Sequence, residues 1–114
     1  MVEEVEEVSI PLPKVGEKIK AKVKAIYRGR VEELVPIERI RNDVVRQRYE
    51  NMKGREAIQL VLDIGGFEVR RTIPISTRPN SRFYRLMKKY GKLRKGMEIE
   101  VTTDANGRLR IVYD

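Results

Sequence analysis

Four lysines, Lys18, Lys20, Lys22 and Lys24, occupy every second position of one short segment. Ile19, Ala21, Val23 and Ala25 alternate with them. A period of two means a half-buried strand, apolar on one face and cationic on the other. Side chains two apart on a strand lie roughly 6.5 Å from each other, close to the phosphate spacing of an extended single strand. Such a row holds a phosphate backbone without reading its sequence. The plainer use is pairing with glutamates across the sheet, and Glu98 and Glu100 alternate on a later strand that suits it. Lysines also protect sheet edges from aggregation.

Two further basic groups carry the same chemistry. Arg70 and Arg71 follow Phe67 and the Gly65-Gly66 pair. A guanidinium beside an exposed aromatic ring clamps and stacks bases. Phe67 also shares the parity of Val69 and Ile73, which argues for packing. Arg28, Arg30, Arg55, Arg108 and Arg110 complete the candidate binding set with Lys20, Lys22 and Lys24. Arg82, Arg85, Lys88 and Lys89 stand on one helix face, and Lys92, Arg94 and Lys95 extend this secondary patch. Tyr27 and Tyr49 are stacking candidates that buried packing would explain equally well.

The charge balance supports these groups. The 114 residues carry 25 basic and 17 acidic side chains, a net charge of +8. Glu3, Glu4, Glu6 and Glu7 sit in the first ten residues, so the remainder has 25 basic against 13 acidic side chains. Between Glu68 and Glu98 there are ten basic residues and no acidic one. A field of that sign draws in polyanions. The expected partner is nucleic acid, single-stranded by preference. With five Tyr, two Phe and no Trp, stacking is a minor contribution. Affinity should be electrostatic and weakly sequence-selective, and six engaged phosphates on a single strand give a log–log salt slope of about −4.

Catalysis finds little support. The chain has no Cys and no His, so it has no thiolate metal site, disulfide, Ser-His or Cys-His pair. Asp63, Glu68 and Asp104 are scattered without metal-ligand spacing. Gly65-Gly66-Phe67 reads as a hairpin turn, and no phosphate loop ends in Gly-Lys-Ser/Thr. The expectation is a non-enzyme without cofactor or metal. No apolar run approaches the roughly 20 residues that span a bilayer. The acidic start lacks a secretory pattern, so a cytoplasmic protein without membrane contact is expected. A charged content of 37% without Cys, His or Trp suits a thermophile.

The elements that must position these residues follow from periodicity. Residues 1–13 read as a flexible acidic arm and residues 14–114 as one domain. A strand is expected over 16–28. Ile37, Ile40, Val44, Val45, Tyr49 and Met52 then recur at helical spacing after Pro36. They predict one four-turn helix over 36–53, with Arg39, Arg41, Arg46, Arg48 and Lys53 on its outer face. Strands over 57–64 and 67–75 flank the Gly-Gly hairpin. Arg71 falls on the core parity of its strand, so a bulge or an unusual charge placement is expected there. A helix over 79–91 buries Phe83, Leu86, Met87 and Tyr90. A last hairpin turns at Asp104-Ala105-Asn106-Gly107, with Met97, Ile99, Val101, Leu109, Ile111 and Tyr113 inward.

The order β-α-β-β-α-β-β resembles the OB-fold, a five-stranded Greek-key barrel with a helix between strands three and four. The resemblance makes the 36–53 helix an insertion between strands one and two. It implies that this loop, the 104–107 turn and the face of strands two and three bind oligonucleotides. Pro79-Asn80-Ser81-Arg82-Phe83 and Gly91-Lys92-Leu93-Arg94-Lys95-Gly96 are similar to segments of small archaeal and viral single-strand-binding proteins. The competing architecture is an open α+β sandwich with the long helix on the sheet. The competing function is a non-catalytic accessory subunit of a replication, transcription or translation complex, docking on a protein through the 36–53 helix or the acidic arm.

Overall fold

The computed structural model describes Glu4 and residues 15–113. The acidic arm, Glu4 apart, lies outside the described residues. Five antiparallel strands form one sheet in the order β3-β2-β1-β4-β5. They are β1 (Ile19–Arg30), β2 (Glu56–Ile64), β3 (Phe67–Pro74), β4 (Glu98–Thr103) and β5 (Leu109–Ile111). The sheet curls strongly into a half-barrel, consistent with an OB-like barrel.

The long strand β1 makes the curl possible by serving two neighbours. Its first part pairs with β4, from Ile19 opposite Val101 to Lys22 opposite Glu98. Its second part pairs with β2, from Lys22 opposite Asp63 to Arg30 opposite Glu56. The register shifts between Val23 and Ala25, so Lys24 is the extra residue of a bulge. A bulge reverses the parity beyond it. Val23 is fully buried, and Ile26 rather than Ala25 then packs on the main core. The expectation that Ala25 points inward is corrected for this reason.

The main core follows the alternation of the other strands. Ile58, Leu60, Leu62 and Ile64 of β2 meet Ile73, Ile99, Val101 and Ile111. The β2–β3 turn is Gly65-Gly66, at φ 58 and 94, a left-handed pair that glycine adopts without a Cβ clash. Between β3 and β4, α3 (Arg82–Tyr90) closes one end of the core with its fully buried Leu86, and Phe83 and Tyr90 pack beside it. The Ser81 side chain accepts the Tyr84 N–H at 3.1 Å, and Gly91 ends the helix at φ 78.

The single four-turn helix over 36–53 is not formed. The insertion contains α1 (Val31–Leu34), a 3-10 turn (Ile37–Arg39) and α2 (Asp43–Glu50). Val35 is extended at φ −122, ψ 124, as the residue before a proline must be to avoid its ring. Ile40 is extended as well, and Asn42 restarts the helix by accepting the Val44 and Val45 N–H groups at 3.0 and 3.1 Å. Val31, Ile37 and Ala57 form a small second core, with Leu34, Val35, Tyr49 and Met52 against it. That core sits on the face of β2 opposite the main one, because Ala57 alternates with Ile58. Among the described residues no helix is long and apolar enough to cross a membrane.

Candidate nucleic-acid interface

The two end strands, β3 and β5, share no ladder. Between them runs an open cleft of about 790 Å³, roofed by the insertion. Six arginines line it: Arg48 of α2, Arg70 and Arg71 of β3, Arg82 of α3, Arg108 beside β5 and Arg110 in it. Tyr49 and Tyr113 also line it, and no carboxylate does. The walls therefore come from the β1–β2 insertion, the β2–β3 pair and the β4–β5 hairpin.

Each wall is held by polar contacts. Gln59, nearly buried on the outer face of β2, forms the floor. Its Nε2 donates to the Leu34 carbonyl at 3.0 Å and the Thr72 hydroxyl at 3.2 Å, while its Oε1 accepts from Arg70 at 3.2 Å. One amide thus joins the insertion to the sheet and orients a guanidinium. Arg71 stands opposite Leu60 in an unbroken β2–β3 register, so its core parity brings no bulge. Its guanidinium donates to its neighbour's carbonyl at Arg70 at 2.8 Å and across the seam to the Leu109 carbonyl at 3.0 Å. The unusual charge placement is therefore a strut between the unpaired strand ends.

The β4–β5 turn is built on Asp104. One oxygen of its carboxylate accepts the Asn106 and Arg108 N–H groups, each at 2.9 Å, and the other accepts from Arg110 at 2.7 Å. The Arg110 guanidinium first, then these N–H groups, holds the Asp104 carboxyl below its ordinary value. Burial pushes the Tyr113 hydroxyl upward, against the opposing pull of Arg82, Arg71, Arg85 and Arg110.

The lysine stripe fares differently. Lys20 lies 4.0 Å from Glu98, and Lys24 lies 3.2 Å from Glu68. Arg28 pairs with Glu56 at 2.7 Å, and Arg30 stands opposite Glu56 in the register. Lys24 with Arg70, and Arg28, hold Glu68 and Glu56 below the usual carboxylate range. Lys22 and Arg55 have no ion pair among the described residues, and neither lines the cleft. Phe67 is 44% exposed at the far hairpin rather than packed in the core, and it too is outside the cleft. Tyr27 is exposed, whereas Tyr49 is half-buried against the second core.

The secondary patch divides. Arg82 joins the cleft, while Arg85, Lys88 and Lys89 line a separate groove. Lys89 pairs with Glu100 at 3.3 Å, and Lys92 is exposed beyond the helix. The candidates that come together are thus Arg70, Arg71, Arg82, Arg108 and Arg110. Periodicity had placed Arg48 only on an outer helix face, and Gln59 carried no visible signal beyond being polar at an outward position of an apolar strand. Among the described residues no three Asp or Glu side chains group as metal ligands. No protein-family model matches the chain, and comparison with curated proteins and with solved structures found no match.

Proposed function

We propose that this protein is a non-catalytic binder of single-stranded nucleic acid that seats the phosphate backbone in the arginine cleft between β3 and β5. The observation that carries the reading is six arginines and two tyrosines lining one open groove without a carboxylate. Guanidinium groups make forked bonds to phosphate and also stack on bases, so arginine does both tasks there. The cleft walls are the elements that OB-type barrels use for oligonucleotides. An open groove of this kind suits unstacked strands, whose phosphates and bases can both reach its sides.

The test is fluorescence anisotropy with labelled single-stranded and duplex oligonucleotides at two salt concentrations. Tighter binding of the single strand, weakening steeply with salt, is the expected result. Binding weaker than about 100 μM at low salt would be no better than generic association and would remove the proposal. A protein-docking reading would then take its place, and Val44, 71% exposed on α2, is its one specific support.

A further inference from the structure

Beside Tyr113 the surface drops into a second groove of about 590 Å³. Pro79 and Asn80 form one end, and Tyr84, Arg85 and Lys88 of α3 run along it. Tyr113 lines this groove and the arginine cleft alike, so the two meet at its ring. The Arg85 guanidinium lies 5.8 Å from the centre of that ring. Tyr84, in the first turn of α3, is 40% exposed, which is unusual for a large ring on a short helix otherwise packed on the core. No acidic side chain lines the groove.

We propose that this α3 groove is a second nucleotide-binding subsite, so that one strand continues from the arginine cleft over Tyr113 and stacks a base on Tyr84. The inference rests on the function proposed above and adds a path to it. Three features suit a nucleotide. Tyr84, exposed on α3, offers a π-face, which every base can use. Arg85 and Lys88 supply charge for a phosphate, and Lys88 has no ion pair among the described residues. Asn80 brings an amide that can both donate to and accept from a base edge.

The experiment measures anisotropy for oligo(dT) and oligo(U) of about 6 and about 12 nucleotides, lengths within the range one such barrel covers. Wild-type protein is compared with Tyr84→Leu, Lys88→Gln and, for the cleft, Arg108→Gln. Tyr84→Leu should weaken the longer oligomer roughly tenfold, the scale of one lost base stack, and leave the shorter one within twofold. Tyr84→Phe should restore the longer oligomer, because it keeps the ring. Arg108→Gln should weaken both lengths. Equal effects of Tyr84→Leu on both lengths, or none on either, would overturn the subsite while leaving the cleft standing. Absence of binding at every length would overturn both. Unchanged thermal unfolding of Tyr84→Leu, expected from its exposure, separates lost contact from lost fold.

Discussion

The sharpest consequence of the cleft is the salt dependence of the variant Arg48→Gln, Arg82→Gln, Arg108→Gln. Of the six cleft arginines, Arg70 meets Glu68 at 3.2 Å and Arg110 meets Asp104 at 2.7 Å. Arg71 bonds only to carbonyl oxygens, and Arg48, Arg82 and Arg108 have no carboxylate partner among the described residues. Four positive charges are therefore uncompensated. Each phosphate engaged on a single strand contributes about 0.7 to the log–log slope, so the wild-type slope is about −3 and that of the triple variant about −0.7. Between about 50 and 200 mM salt the wild-type protein should lose roughly 50-fold in affinity and the variant about threefold.

The assay is anisotropy with one oligo(dT) across a salt series, with Lys20→Gln, Lys22→Gln, Lys24→Gln as the matched control. Two of those lysines already face glutamates, so the control should flatten the slope by no more than about 0.7. A control that flattens the slope as much as the arginine variant would return the binding face to β1. An arginine variant with wild-type slope would refute the reasoning outright.

Three other outcomes follow from the same contacts. Asp104→Asn should free Arg110 and steepen the slope by about 0.7, while the amide oxygen still accepts the turn's N–H groups. The Asp104 carboxyl is held low in the fold, so its contribution to stability is complete above the ordinary aspartate range near pH 4 and is lost as pH falls through the lowered value. Thermal unfolding across acid pH should accordingly drop less in the asparagine variant. Arg71→Met should cost about 1.5 kcal/mol in denaturant unfolding, the worth of a hydrogen bond from a charged donor, and should speed amide exchange in β5 while sparing β2; unchanged exchange in β5 would deny the strut. Deleting residues 1–10 should tighten binding at low salt, because it removes Glu3, Glu4, Glu6 and Glu7, whose charges oppose the approach of a polyanion; equal affinity with and without the arm would count against that opposition.

The order of the strands along the chain and the slot of α3 were legible because alternation is a local signal and each hairpin carried its own turn chemistry. The insertion was not, although its apolar residues keep helical spacing. Pro36 dictates an extended Val35, and Asn42 before Asp43-Val44-Val45 is a cap that the sequence displays. The periodic reading spanned both breakers. Ala25 and Ile26 are adjacent apolar residues, so nothing local says which of them faces the core once Lys24 bulges. In the site, Arg70, Arg108 and Arg110 stood among the binding candidates as separate groups, and they share one cleft because the curled sheet brings its two end strands to either side of it. Arg48 and Arg82 join them only because the insertion folds over the outer face of β2 and α3 starts beside Tyr113, and both are tertiary facts.

The difference between β1 and the cleft lies in what holds the cations. On β1 the holding groups are glutamates, which fix a side chain and cancel its charge together. In the cleft, carboxylates hold Arg70 and Arg110 as well, but Gln59 Oε1 shares in orienting Arg70, and the carbonyls of Arg70 and Leu109 alone hold Arg71. Neutral acceptors orient a guanidinium and leave its charge intact. Gathering several such charges along one seam opposes folding through mutual repulsion. The open β3–β5 edge adds unpaired backbone groups that a closed barrel would satisfy. A polyanion laid in the seam would relieve the repulsion and supply acceptors for the free donors at once. If the proposed binding holds, a strand in the seam would draw β3 and β5 together, and Arg71, which already reaches the Leu109 carbonyl across it, would serve both.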